Sequence, residues 1–179
     1  FNGEIYNHLS LRETLDSVSN NVIEWIGHSD TETLLSCFET WGIDVTLEKI
    51  SGMFSIALYD NEHDSLYLIR DRMGEKPLYY GWSGDVFLFS SELKPLKKFH
   101  GFSGEIDRNV LALFLKYDYV PSPYSIYKGI NKLPQGSYVK IIMINNSWSR
   151  EDIQGPNYYW SMNDIAQSGK GAKRFKSSE

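Results

Sequence analysis

The sequence has a single cysteine, Cys37, and no long apolar run in its 179 residues. One cysteine cannot close an internal disulfide, so the fold cannot depend on disulfide cross-links, and a reducing compartment is compatible with the chain. No stretch approaches the roughly 20 apolar residues of a membrane-spanning helix. We therefore expect no membrane partner and a cytoplasmic location.

Basic surface and familiar site motifs are also scarce. The net charge of −5 disfavours a binder of duplex nucleic acid, which needs a basic face, so we expect no nucleic-acid partner. The 4 histidines are scattered without ligand pairing, so no metal site is predicted. Neither a GxxxxGK[ST] phosphate loop nor a GxSxG elbow occurs.

Aromatic and apolar residues are plentiful. Apolar residues make up 41% of the sequence and aromatic residues 15%, with 12 Tyr and 9 Phe. This composition is typical of a globular chain rather than a disordered one, and aromatic residues favour strands. The length fits one domain with a tail, or at most two small domains.

The N-terminal part alternates between extended and helical patterns. It predicts an extended piece over 1–6, a helix over 9–18 and a short strand over 22–26. The run 29–32, Ser-Asp-Thr-Glu, resembles a helix capping box, and Gly42 is the predicted stop of the helix that follows. That helix has an apolar face formed by Leu34, Cys37, Phe38 and Trp41.

The middle of the chain consists of short apolar runs separated by turn residues, at 53–59, 65–69, 77–82 and 86–89. Such short connections make neighbouring strands antiparallel. Because the runs are almost entirely apolar rather than alternating, both faces of the sheet should be covered. We therefore predict an α+β fold, a four-layer α/β/β/α sandwich of two mostly antiparallel sheets.

The C-terminal part begins with a short helical turn over 92–99. Asp107 is then predicted to cap a helix with one apolar face, and 137–144 reads as a last strand. That face is formed by Val110, Leu113, Phe114 and Tyr117. From about residue 145 the chain is polar and is predicted to be irregular, so we divide it into a domain over 1–144 and a linker over 145–179.

Three polar segments are candidates for chemistry. Asn2-Gly3 is either a tight turn or an oxyanion hole, since an Asn amide and a glycine N–H can both donate to one developing oxyanion. Asp30 either complements a helix dipole or binds a substrate ammonium group. The charged residues at 70–72 form either a solvated turn or a fixed ion-pair lattice, and the pattern alone does not choose.

Several motifs together resemble the class II glutamine amidotransferase domain of asparagine synthetases of the asparagine synthetase B type. They occur in the family's order over about residues 1–160. The matching runs are Phe-Asn-Gly-Glu-Ile-Tyr-Asn at 1–7, Ser-Asp-Thr-Glu at 29–32, Gly-Met-Phe-Ser-Ile-Ala-Leu-Tyr-Asp at 52–60, Arg-Asp-Arg-Met-Gly-Glu-Lys-Pro-Leu-Tyr-Tyr at 70–80, Ser-Ser-Glu-Leu-Lys at 90–94, Tyr-Val-Pro-Ser-Pro at 119–123 and Lys-Gly-Ile-Asn-Lys-Leu-Pro-Gln-Gly at 128–136.

The resemblance implies an N-terminal nucleophile hydrolase fold that releases ammonia from L-glutamine. The ammonia would pass to the chain's own synthetase domain, which uses ATP and Mg²⁺ to activate aspartate, and no cofactor is expected in the glutaminase domain itself. By position, Asn2 and Gly3 match the oxyanion hole, and Glu4 and Asp30 match residues that hold the substrate amino group. The segment 70–80 matches a scaffold element, and homodimer formation is left open.

The sequence departs from the family at its first residue. The family's nucleophile is a cysteine at the mature N-terminus, whereas Phe1 lies inside the Asn-Gly-Glu strand, so we expect that cysteine and an upstream arginine to precede these 179 residues. Cys37 lies on an apolar helix face and is predicted to be buried. We therefore expect the chain alone to be inactive and to bind glutamine weakly or not at all. The alternatives are a non-catalytic scaffold or interaction module, or an amidotransferase domain for another acceptor, a sugar acid or β-lactam precursor.

Overall fold

The computed structural model describes residues 1–18, 23–144 and 147–169. These residues form two antiparallel sheets, sheet A with the order β1-β2-β3-β7-β8 and sheet B with the order β5-β4-β6. The strands are β1 (Asn2–Ile5), β2 (Gly52–Asp60), β3 (Ser65–Arg70), β4 (Tyr79–Ser83), β5 (Val86–Ser90), β6 (Ile130–Lys132), β7 (Ser137–Ile142) and β8 (Ile153–Tyr158). The helices are α1 (His8–Val18), α2 (Asp30–Lys49), α3 (Leu93–Leu96), α4 (Arg108–Tyr117) and α5 (Met162–Gly169).

Sheet A is covered on both faces. Ile69 of β3 packs in a core shared with α1 and α2, whereas its neighbour Leu68 packs in a core shared with sheet B. Both side chains are 0% exposed, although successive residues of a strand point to opposite faces. The prediction that unbroken apolar runs mean two covered faces is confirmed, and so are the α+β class and the two antiparallel sheets.

Helices α3 and α4 bury fewer residues than α1 and α2. α3 contacts β5 and buries Leu96, and α4 buries Val110. Asp107 caps α4 as predicted, because its side chain accepts from the backbone N–H groups of Asn109 and Val110. Phe114 and Tyr117 remain exposed, so the predicted apolar face of α4 is only partly covered. No helix in the described ranges is long and apolar enough to cross a membrane.

Helix α2 begins as predicted, and the stop predicted at Gly42 interrupts it. Gly42 has φ of 72° and ψ of −173°, a non-helical conformation that separates two helical segments, and the second segment ends at Lys49. The second segment is retained because Thr46 and Leu47 are fully buried and the Thr46 hydroxyl donates to the Cys37 carbonyl. Gly42 thus ends the first helical segment as predicted, and packing orders a second segment that was not predicted.

Two predictions about regular structure were wrong. Residues 23–26 form no strand, and Ile26 is 98% exposed; Val22 lies outside the described residues. The chain is not irregular throughout from residue 145, because β8 pairs with β7 and α5 follows. Hydrogen bonds to the edge of β7 stabilise β8, although the sequence of this region is polar. The proposed linker over 145–179 lies partly outside the described residues.

Candidate active site

Strand β1 lies first in the strand order of sheet A, so among the described residues one of its edges is open. The Tyr6 N–H, just after β1, points towards the residue before β2 and donates to the Ser51 carbonyl at 2.8 Å. Backbone N–H groups alternate in direction along a strand, so the Ile5 and Gly3 N–H groups point to the open edge. This edge therefore presents backbone donors to the outside of the sheet.

Asp30 lies against the open edge. Its Oδ2 accepts a hydrogen bond from the Ile5 N–H at 2.9 Å. Its Oδ1 is 3.5 Å from the hydroxyl oxygens of Ser29 and Thr31, the limit of hydrogen-bond distance. A carboxylate accepts several hydrogen bonds, so Asp30 keeps acceptor capacity for a further cationic or N–H partner. Asp30 is only partly buried and remains accessible to one.

Asp30 is held by the start of α2. Ser29 is the N-cap, and its side chain accepts from the Thr31 N–H. The positive end of the helix dipole favours a carboxylate at this position. The predicted reciprocal capping box is not formed, because the Glu32 carboxylate accepts from the N–H groups of Ile26 and Gly27 instead. These two backbone hydrogen bonds, that of Ile26 foremost, lower the pKa of Glu32.

Gly3 allows the close approach of β1 to β2. Its backbone has φ of 156°, and a Cβ placed there would lie 2.1 Å from the Met53 carbonyl oxygen. Any side chain would therefore push β1 away from its partner or rotate the Gly3 peptide. The glycine is needed for the strand geometry that aims its own N–H at the open edge.

Asn2 and Glu4 occupy the opposite face of β1 from Ile5, whose side chain is buried in the core under α1 and α2. The Asn2 amide Nδ2 donates to the Ser91 hydroxyl at 3.2 Å. Glu4 is exposed on the same face. Asn2 lines a cavity of about 290 Å³ between the two sheets, whose other lining residues are Phe1, Ser55, Ile56, Ala57, Leu78, Phe89, Ser90 and Ser91. Asp30 does not line this cavity; it lies on the open edge of the same strand.

Arg12 supports the loop in front of Asp30, and the sequence reasoning missed it. Its guanidinium donates to the Thr33 hydroxyl at 2.7 Å, to the Gly27 carbonyl at 2.7 Å and to the Ser29 carbonyl at 2.9 Å. Arg12 is also paired with Glu32 at 3.2 Å. The residues around Arg12 gave no signal of this role, because its partners Thr33 and Gly27 lie in another segment of the chain.

The charged segment at 70–72 is neither a solvated turn nor an ion-pair lattice. Arg70 is 5% exposed and donates to the carbonyls of Lys76, Leu133 and Gly74. Burial lowers the pKa of Arg70. Asp71 is 0% exposed and accepts from four backbone N–H groups, those of Phe54, Met73, Glu75 and Lys76. Both side chains hold backbone groups together, so the segment is a scaffold.

Cys37 is unsuited to act as a nucleophile in this fold. Its side chain is 0% exposed in the core under α1 and α2. Burial raises the pKa of its thiol to about 11. The reactive form of cysteine is the thiolate, so Cys37 is both protonated at neutral pH and out of reach of a substrate.

A family model described as a glutamine amidotransferase domain matches residues 1–159. The chain is 36% identical over 135 residues to putative asparagine synthetase [glutamine-hydrolyzing] 2 of Methanocaldococcus jannaschii, a match that covers 74% of this chain and 25% of the relative. It is 34% identical over 141 residues to asparagine synthetase [glutamine-hydrolyzing] 1 of Bacillus subtilis, covering 79% of this chain and 22% of the relative. The chain thus spans about a quarter of the length of these curated relatives.

Solved structures share the fold at low sequence identity. Glutamine phosphoribosylpyrophosphate amidotransferase from B. subtilis, complexed with ADP and GMP, superposes with a TM-score of 0.55 at 18% identity. The match covers 90% of this chain and 28% of that protein. A second structure, that of the allosteric regulatory enzyme of purine biosynthesis, gives a TM-score of 0.56 at 18% identity, covering 90% of this chain and 28% of that one. These similarities agree with the N-terminal nucleophile hydrolase fold expected from the motifs.

Proposed function

Because the chain belongs to the glutamine amidotransferase domain family, we propose that it is the glutaminase part of a glutamine-hydrolysing asparagine synthetase. The observation that carries the proposal is the position of the Asp30 carboxylate. It lies on the open edge of β1, hydrogen-bonded to Ile5 two residues after Gly3. A carboxylate beside a row of backbone N–H donors suits an amino-acid substrate. The ammonium group of the substrate needs an anion, and its carbonyl oxygen needs hydrogen-bond donors.

In this proposal the Gly3 N–H and the second amide N–H of Asn2 stabilise the oxyanion that develops on the glutamine side-chain carbonyl. A preorganised donor of this kind is worth about 3 kcal/mol of barrier. Asp30 accepts hydrogen bonds from the α-ammonium group of glutamine, and Glu4 supplies a second carboxylate for it. Glutamine hydrolysis then yields glutamate and ammonia.

The nucleophile of the proposed reaction is supplied from outside these 179 residues. Cys37 is the single cysteine of the sequence, and it is buried with its thiol pKa raised to about 11. A thiolate that attacks the substrate carbonyl must be accessible and ionised. We therefore propose that residues 1–179 alone release no ammonia from glutamine and bind it weakly, and that the complete protein supplies a cysteine.

The ammonia released is proposed to amidate aspartate in a synthetase domain that uses ATP and Mg²⁺. The names of the curated relatives support aspartate as the acceptor. We also propose a cytoplasmic location, and the glutaminase part needs no cofactor of its own in this scheme. The part of the proposed linker 145–179 that follows β8 would connect the two domains.

The test uses the protein expressed from its complete reading frame. With glutamine labelled with ¹⁵N at the side-chain amide, aspartate, ATP and Mg²⁺, the expected product is asparagine with labelled amide nitrogen, detected by mass spectrometry. Ammonia release without transfer to aspartate would keep the glutaminase and reject the acceptor. No labelled ammonia and no labelled product would reject the proposed function and favour a non-catalytic scaffold.

A further inference from the structure

Ser91 connects the two sheets at the candidate active site. It follows β5 of sheet B directly, yet its hydroxyl accepts a hydrogen bond from the Asn2 amide of sheet A at 3.2 Å. The same hydroxyl lies 3.3 Å from the Ser55 hydroxyl on β2. Asn2 and Ser55 are register partners in the β1–β2 pair, so Ser91 contacts two facing residues of one sheet.

We propose that Ser91 is a positioning residue that orients the side-chain amide of Asn2, with Ser55 fixing the direction of the Ser91 hydroxyl. The inference rests on the proposed function, because it assigns Asn2 the role of oxyanion donor. Neither serine was among the residues that the sequence motifs assigned to the site.

The hydrogen-bond capacity of the three groups supports this role. The Asn amide nitrogen carries two N–H groups, so the one held by Ser91 leaves the other free for a substrate oxygen. A hydroxyl donates one hydrogen and accepts others, so Ser91 can accept from Asn2 while it donates to Ser55 or accepts from it. Without Ser91 the exposed Asn2 side chain would sample several rotamers, and fewer of them would aim the amide at the substrate.

The local backbone keeps Ser91 in place independently of Asn2. The neighbouring Ser90 hydroxyl accepts from the Glu92 N–H at 3.3 Å, which holds the turn between β5 and α3. Ser55 is 4% exposed, so bulk water cannot readily replace Ser91 as the hydrogen-bond partner of its hydroxyl. The cavity of about 290 Å³ beside these residues leaves the Asn2 amide room to turn when Ser91 is removed.

The experiment is a double-mutant cycle on ammonia release by the complete protein, with kcat and KM for glutamine measured for wild type, Ser91→Ala, Asn2→Ala and the double variant. Ser91→Ala is expected to lower kcat about tenfold, less than the 10²–10³ typical for loss of a whole oxyanion donor, with KM within about twofold. In the Asn2→Ala background the same change is expected to have no further effect, since Ser91 acts through Asn2. Ser91→Thr keeps the hydroxyl and is expected to restore most of kcat.

Ser83→Ala is the matched control, because it removes a hydroxyl of sheet B that bonds to the Gly101 carbonyl away from Asn2. It is expected to leave kcat unchanged, which separates positioning from loss of stability. An unchanged kcat in Ser91→Ala, or a further loss of similar size in the Asn2→Ala background, would overturn the role of Ser91. If the wild type releases no ammonia from glutamine, the proposed function itself fails, and that outcome is distinct from both.

Discussion

The edge of β1 with Asp30 and the segment at 70–72 were both polar candidates for a functional site. The structure shows that they have different roles. Arg70 and Asp71 are buried, and their polar atoms are engaged by carbonyl and N–H groups of the backbone. Asn2 is exposed, and Asp30 is partly buried with one oxygen held only at 3.5 Å. Spare hydrogen-bonding capacity at an accessible position marks a site, whereas used-up capacity in the interior marks a scaffold.

The comparison predicts opposite effects of substitution in the two regions. Changes in the scaffold should lower the stability of the 179-residue chain by several kcal/mol. Changes on the β1 edge should leave stability almost unaltered and lower the activity of the complete protein. Substitutions at four residues, Asp71, Asn2, Arg12 and Tyr138, test this comparison, from the largest expected effect to the smallest.

Asp71→Ala should cause the largest loss of stability. It removes the acceptor of four buried or partly buried backbone N–H groups, and such unpaired donors cost about 3–5 kcal/mol in total. Urea unfolding of the 179-residue chain should show a lower midpoint with an unchanged slope. Glu39→Ala, on the exposed side of α2, is the control and should change stability by less than about 0.5 kcal/mol. Equal midpoints for the two variants would contradict the scaffold assignment.

Asn2→Ala should have the converse effect. Loss of one oxyanion donor is expected to lower kcat for ammonia release by the complete protein by about 10²–10³-fold. Because Asn2 is exposed, the unfolding free energy of the 179-residue chain should change by less than about 0.5 kcal/mol. A large drop in stability with normal kcat would show that Asn2 belongs to the scaffold.

Arg12→Lys should affect both stability and activity, unlike changes in either of the two regions alone. Arg12 uses the same backbone-holding chemistry as Arg70, but the loop that it holds leads into Asp30. A lysine cannot reproduce the hydrogen bonds of the planar guanidinium group, so the unfolding free energy should fall by about 2 kcal/mol. KM for glutamine in the complete protein should rise while kcat changes little. Chemical unfolding and steady-state kinetics on the same variant measure both effects. A stability loss without any change in KM would confine Arg12 to the scaffold.

Tyr138 gives the smallest expected effect, a change in alkaline stability. Burial, followed by its hydrogen bond to Asp44, raises the pKa of Tyr138 to about 12. A raised folded pKa favours the protonated phenol in the fold, so its stabilising contribution is complete below the ordinary value of 10.0 and is lost as pH rises towards about 12. Tyr138→Phe should make the decline of unfolding free energy over this interval shallower. An equally steep decline in wild type and Tyr138→Phe would contradict this role of Tyr138.

Much of the fold was accessible from the sequence because apolar runs and caps report burial directly. The four apolar runs became β2 to β5, and Asp107 caps α4. β8 and the helical segment after Gly42 were not predicted, because β8 depends on the edge of β7 and the second segment of α2 depends on the burial of Thr46 and Leu47. Local propensity does not contain the strand edge or the buried contacts that stabilise them.

The candidate site was only partly predictable. Asn2, Gly3, Glu4 and Asp30 came from the motifs, and the structure brings Asp30 to the edge of β1. Arg12 and Ser91 were not found, because a side chain that acts by holding another group has no signature of its own. Their roles become visible only as distances between segments remote in the sequence.

The central claim is that Asp30 binds the ammonium group of glutamine on the β1 edge, and Asp30→Asn tests it most directly. Asn keeps an oxygen for the Ile5 N–H but loses the charge. KM for glutamine in the complete protein should rise about 10–100-fold, as expected for a lost charge-assisted hydrogen bond, while the unfolding free energy changes by less than about 1 kcal/mol. An unchanged KM at unchanged stability would show that glutamine does not bind at Asp30.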